Sequence, residues 1–122
     1  GGRASLLHAC AFKEKWDALI LISCNPGIEA ESERSARRDA DLRLASKVKD
    51  MGADAFIQAW QEQPLIQSQR SIRPDWFDAM QQTRRQHSAE GLAASLIEFG
   101  QGSCPNLWPQ LTTLNLPVLL IS

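Results

Sequence analysis

The sequence has no excess of charge, few cysteines and histidines, and no long apolar run. Thirteen Lys and Arg stand against fourteen Asp and Glu, giving a net charge of −1 and a pI near 6.1. Domains that bind nucleic acid usually carry a strongly basic face, so neither nucleic acid nor an anionic membrane is an expected partner. No apolar stretch approaches the ~20 residues needed to span a bilayer, and no signal-peptide pattern is visible. The three cysteines, Cys10, Cys24 and Cys104, are odd in number, widely spaced and free of any C-x-x-C pair. That argues against a structural zinc site or a disulfide framework and for reduced, partly buried thiols in a cytosolic-type protein. His8 and His87 are isolated from each other and from any carboxylate cluster, so no metal site and no cofactor are expected. An initiator Met is also lacking. The chain opens on "GGRASLLHAC" and stops on the aliphatic run "NLPVLLIS", and the expectation is an internal segment of a larger protein.

What is present suits one ordinary domain: 122 residues, of which 43% are apolar, suffice for a core. Residues Arg3 to Phe12 form a small-residue helix, apolar most of the way round, of the kind that packs on a sheet. "DALILIS", Asp17 to Ser23, reads as a strand buried on both faces and is broken by the turn chemistry of "NPG". The closing run from Pro117 is a second strand of the same kind, so the two ends are expected in one parallel sheet.

About ninety residues with no comparable strand separate these two. Glu29 to Met51 carries apolar residues at Ala36, Ala40, Leu44 and Val48, acidic residues in its first turn, and Gly52 as a stop. Asp54 to Gln63 follows, with Phe56, Ile57 and Trp60 on one side and Pro64 at its end. Arg73-Pro74 opens a helix carrying Trp76, Phe77 and Met80. Ser88 caps another, on which Leu92, Leu96 and Phe99 share a face. "GQGSCPN" is a loop, and Leu107 to Leu111 a short turn. The fold class is therefore α/β but mostly helical: two parallel core strands with an inserted helical cap. The divisions are core 1–25, cap 26–100 and return to the core 101–122. In an open α/β sheet, ligands bind beyond the carboxyl ends of the strands, so a helical excursion leaving that end acts as a lid.

The opening glycines suit the last part of a G-x-S-x-G nucleophile elbow, with Gly1 as its final glycine. With this start go "LILIS" then "NPGIEAESERSARRDAD", "FIQAWQEQPLIQSQR", "RRQHSAEGLAASL", and "PNLW" before "LPVLLIS". Nearly end to end, the sequence resembles the MenH family of α/β-hydrolase-fold proteins, the 2-succinyl-6-hydroxy-2,4-cyclohexadiene-1-carboxylate synthases of menaquinone and phylloquinone biosynthesis. The "PGI" and "W...PL..SQ" blocks are the specific ones. The resemblance implies a Ser-His-Asp triad in the core domain and elimination of pyruvate from 2-succinyl-5-enolpyruvyl-6-hydroxy-3-cyclohexene-1-carboxylate, a small polycarboxylate. It also places the nucleophile before Gly1 and the acid and histidine after Ser122, so the chain alone is expected to be inactive and holds no catalytic residue of its own.

The same resemblance assigns substrate-binding roles to Arg3, Arg37, Trp60 and Arg85, with Arg84 a live alternative to Arg85. Guanidinium forks are the right donors for carboxylates. Arg3 has separate support: a cation beside a helix N-terminus is unfavourable unless an anion joins it. Arg37, by contrast, shares its helix with Arg34, Arg38 and Asp41, where a solvated charge face is the ordinary reading. Trp76 and Trp108 read as lid core. The expected compartment is the cytoplasm, or a plastid in a photosynthetic eukaryote. Two other readings stay open: an ester or thioester hydrolase of the same fold, and a non-catalytic helical binding module.

Overall fold

A computed structural model describes residues 1–121; Ser122, the last residue of the predicted closing strand, lies outside the described residues. The aliphatic runs Leu19–Ile22 (β1) and Val118–Ile121 (β2) pair in parallel, Leu19 opposite Val118 and Ile22 opposite Ile121. Before β1 come helix α1, Gly2–Ala11, and a 3-10 turn at Lys13–Lys15. Between the strands lie α2 (Glu31–Met51), α3 (Ala53–Gln61), α4 (Pro64–Gln67), a 3-10 turn at Ser68–Ser71, α5 (Pro74–Arg84), α6 (Ala89–Phe99) and α7 (Trp108–Leu111). The fold class is the expected one, a parallel pair interrupted by helices. The chain divides into two compact units: Gly1–Arg37 together with the chain from Gln101 onward, and Arg38–Gly100. Pro64, predicted to end a helix, does so and also occupies the first turn of α4, where its missing N–H is harmless.

In the first unit, Leu6 and Ala9 of α1 pack on Leu19, Leu21 and Leu107, ringed by Cys10, Trp16, Cys24, Leu111, Leu114 and Leu116. Successive strand side chains alternate in direction. Leu19 and Leu21 are accordingly buried, while Ile20 and Ile22 are 66% and 64% exposed and all of β2 is open on its surface. This corrects the expectation of strands buried on both faces. The composition of an aliphatic run states what a strand is able to bury, whereas α1 supplies a layer on one face of β1. Burial in this core pushes the Cys10 thiol above its ordinary value, with Lys13 partly opposing the shift, so the group stays protonated at neutral pH.

Two glycines show how closely this unit is assembled. A Cβ on Gly2 would lie 2.7 Å from Cys24 Cβ, so the first turn of α1 is pressed against the carboxyl end of β1. Gly27 sits at φ +109°, and a Cβ there would lie 2.7 Å from the Pro105 carbonyl oxygen. Around Gly27 the chain is pinned. Its N–H donates to Asn25 Oδ1 (3.2 Å), Leu107 N–H donates to the Pro26 carbonyl (2.8 Å), and Trp108 Nε1 donates to the Gly27 carbonyl (3.1 Å). Trp108 is therefore no part of a lid core. It is 46% exposed and serves as a fastener in the unit that holds the sheet.

In the second unit α2 buries Asp41, Ala45 and Val48. Of the predicted stripe only Val48 is inside; Ala36, Ala40 and Leu44 are exposed. Strict spacing of four drifts about 40° per step around a helix, so it cannot hold one face over three steps, whereas the observed steps of four and three do. The Asp41 carboxylate lies against Gly100, where a Cβ would come within 2.6 Å of Oδ2. Ser88 caps α6 as predicted, its Oγ accepting from Gly91 N–H at 3.0 Å. The buried face of α6 centres on Ala93, and Phe99, roughly 120° around the helix from it, is 71% exposed rather than packed with Leu92 and Leu96. Trp76 is likewise outside, 61% exposed, beneath the guanidinium of Arg73, which is itself bidentate to Asp75 at 3.1 and 2.6 Å.

Two left-handed glycines differ in what surrounds them, which gives a clean comparison. Gly52, at φ +80° and ψ 161°, has nothing within 4 Å of its would-be Cβ, so Gly52→Ala should cost only backbone strain, about 1 to 3 kcal/mol. Gly27→Ala adds a clash with Pro105 and should cost about 1 to 3 kcal/mol more than Gly52→Ala in urea unfolding followed by tryptophan fluorescence. Equal penalties would contradict the pinned geometry.

Candidate anion-binding site

Along α3, Asp54, Ile57, Gln58 and Gln61 recur at three- and four-residue intervals and so share one face. With Gln81, Arg84 and Arg85 from the end of α5 they line a cavity of about 440 Å³, within the size range of small-molecule sites. All seven residues belong to the second unit. The cations stand at the carboxyl end of α5, where the helix dipole favours positive charge. Arg85 caps that end, its own N–H donating to the Gln81 carbonyl at 3.1 Å.

Adjacent in sequence, the two arginines have different surroundings. Arg84 is half-buried; its Nη1 donates to Gln61 Oε1 at 3.1 Å, its Nη2 to Gln69 Oε1, and its guanidinium lies over the Trp60 ring, 5.0 Å from the centroid. Gln61 Oε1 also accepts from Gln81 Nε2 at 2.6 Å. These partners are neutral, so none of them offsets the guanidinium's charge. Arg85 is exposed, and its guanidinium makes no hydrogen bond or ion pair among the described residues. The structure thus brings Trp60 together with Arg84, engages Arg84 internally, and leaves Arg85 available on the cavity.

The other two arginines lie in the first unit. Arg3, in the first turn of α1, is half-buried, with its Nη1 screened from solvent. Arg37 is on an exposed stretch of α2; three residues earlier, Arg34 pairs with Glu31 and donates to the Ile28 carbonyl at 3.3 Å. A second hollow, of about 320 Å³, opens at the carboxyl ends of the strands between Leu21, Ser23, Cys24, Asn25, Leu120 and Ile121. Ser23 there has φ +46°, the one positive φ outside glycine among the described residues. His8 is turned to other work: its Nδ1 accepts from Trp16 Nε1 at 2.9 Å, and its ring packs at a 40° tilt against Phe12.

Sequence reasoning missed the glutamines and Ser23. Gln58 and Gln61 left a faint signal, since with Asp54 they continue a polar stripe at helical spacing beside Trp60. Ser23 left none, because serine tolerates ordinary strand geometry as readily as the one it adopts. Among the described residues no cluster of three His, Cys, Asp or Glu side chains could hold a metal ion, and no helix is long and apolar enough to cross a membrane.

No family model matches the chain. The putative 2-succinyl-6-hydroxy-2,4-cyclohexadiene-1-carboxylate synthase of Bacillus subtilis is 36% identical over 121 residues, which covers 99% of this chain and 44% of that protein. The synthase of the same name from Citrobacter koseri is 28% identical over 117 residues, or 96% of this chain and 45% of that protein. Among solved structures, MenH from S. aureus matches with a TM-score of 0.89 at 33% identity, over 98% of this chain and 45% of that one. The chain spans a little under half the length of the relatives it matches. Across that span the chain is similar to the MenH proteins in sequence and in backbone, and its fold is the corresponding part of an α/β-hydrolase fold.

Proposed function

We propose that this chain serves a synthase that eliminates pyruvate from 2-succinyl-5-enolpyruvyl-6-hydroxy-3-cyclohexene-1-carboxylate, and that its part is to bind the carboxylates of that substrate. The observation that carries this reading is the α3–α5 cavity. Asp54 brings one negative charge to it and Arg84 and Arg85 two positive ones, and the Arg85 fork has no protein partner among the described residues. Such a cavity suits an anion with planar oxygens. Removing a proton from a substrate that already carries carboxylates adds further negative charge, and guanidinium groups placed on those carboxylates lower the cost of that step. Arg85 is the proposed binder in this unit, while Trp60, which lies under Arg84, and Arg3 and Arg37 are the further positions that the family resemblance assigns.

On this reading, residues 26–100 act as the cap and 1–25 with 101–122 as core segments. The chain binds substrate without completing a triad of its own. His8 is committed to Trp16 and His87 is exposed on the turn between α5 and α6. The proposed compartment is the cytoplasm, or a plastid in a photosynthetic eukaryote, on the odd number and wide spacing of the three cysteines.

Two measurements test this. The product named for the family becomes 2-succinylbenzoate on loss of water, a stable aromatic probe with both carboxylates. Titration calorimetry should show that it binds the protein, and that Arg85→Ala weakens binding by roughly tenfold, the scale of one hydrogen bond to a charged group. Arg85→Lys should recover only part of the loss, because an ammonium lacks the planar fork. Undiminished binding by Arg85→Ala would remove Arg85 from the site. In a coupled assay for pyruvate, the chain alone should give no release above buffer from the enolpyruvyl substrate; release above background would overturn the absence of a self-contained triad.

A further inference from the structure

Arg84 controls the direction in which hydrogen bonds run across the α3–α5 cavity. A guanidinium carries donors and no acceptor, so any amide atom that meets it must be oxygen. Arg84 meets Gln61 with one nitrogen and Gln69 with another, which fixes the orientation of both amides. Gln81 Nε2 then brings a second donor to the same Gln61 oxygen, at 2.6 Å. Both lone pairs of Gln61 Oε1 are occupied. Its Nε2 donates to no described residue, so a ligand in the cavity that Gln61 lines meets this side chain as a donor only. Gln81 keeps its own oxygen and one N–H, so it does not reverse that polarity.

We infer that Gln61 is a specificity-determining residue, donating through Nε2 to a carboxylate or carbonyl oxygen of the ligand that Arg85 holds, and that Arg84 is the positioning residue that keeps the amide so turned. The inference rests on the anion-binding reading of the cavity. It divides the labour of the tandem arginines: Arg85 contacts the ligand, while Arg84, spent on Gln61, Gln69 and the Trp60 ring, orients a neighbour that does. Neutral ligands with a carbonyl in that place gain from Gln61 as well, whereas ligands presenting a donor there are rejected, since two donors face each other with no acceptor between them.

Two cavity glutamines make the test. Gln61→Glu keeps an oxygen for Arg84 and turns that contact into an ion pair, so the variant should melt no lower than the unaltered protein. It loses the Nε2 donor. Gln58→Glu places the same charge on the same cavity, yet Gln58 takes no part in the network, so it reports the cost of charge alone. With 2-succinylbenzoate as the probe, titration calorimetry should show Gln61→Glu binding roughly tenfold more weakly than Gln58→Glu. Equal binding by the two would overturn the role of Gln61. Arg84→Met, which frees the amide to turn, should also weaken binding, and Arg84→Lys, again a donor-only side chain, should restore it; unchanged binding by Arg84→Met would overturn the positioning role. If the probe fails to bind the unaltered protein, or binds Arg85→Ala as well, the anion-site reading falls and takes this inference with it. If Arg85→Ala weakens binding while Gln61→Glu merely matches Gln58→Glu, only the Gln61 inference falls.

Discussion

The hydrogen bonds from Leu107 and Trp108 to the carbonyls of Pro26 and Gly27 close a loop 81 residues long, and the sheet depends on that closure. Bringing the ends of such a loop together costs on the order of 4 kcal/mol in chain entropy, beyond a constant. Once the loop is closed beside the carboxyl end of β1, the short run to β2 has little freedom left, and the parallel register of four residue pairs follows at small further cost. Gly27 is the residue that lets the backbone turn at this point, since only glycine accepts φ +109° without strain and no Cβ fits beneath Pro105. A fold whose two strands are separated by nearly the whole chain is thus held by a contact between two short motifs, "NPG" and "PNLW".

Electrostatics in the second unit follow from what each arginine has near it in sequence. Arg70 meets Glu62 and Arg73 meets Asp75, exposed pairs of the sort that contribute little to stability and leave little net field. Arg84 has amide oxygens and an indole instead, and Arg85 has no side-chain partner among the described residues. The mouth of the α3–α5 cavity therefore keeps positive charge, part of which Asp54 offsets. An arginine held by neutral groups is a fixed charge and a fixed geometry at once, the combination that a carboxylate site requires.

Much of this was legible in the sequence where the controlling chemistry is local. Ser88 as a cap, Pro74 at a helix start and the paired aliphatic runs were readable because each depends on a few neighbouring residues. Features that depend on rotation or on partners distant in sequence were not. The stripe on α2 was misplaced by one residue at Asp41, since a carboxylate is not expected at 3% exposure and its neighbour Gly100 lies 59 positions away. In the sequence Trp108 reads as core because indoles are large and apolar, whereas its position is set by one N–H and a carbonyl 81 residues distant. The family resemblance supplied the arginines, but Arg84 and Arg85 could not be separated without knowing which way each points. Gln61 passed unnoticed, because a glutamine shows its chemistry only when the atoms around it fix the amide.

The difference between Arg84 and Arg85 is a matter of angle: consecutive residues on a helix point about 100° apart, and at the end of α5 one direction meets Gln61 and Gln69 while the other meets the cavity. Adding or removing a single residue within α5 would turn both arginines by about 100°, so that one takes the other's direction and the other leaves both. The exposed side of this helix is therefore free to drift by substitution, while its length is not free to change, and across descendants of this sequence the count of residues between Pro74 and Arg85 should be held more tightly than most of the residues themselves.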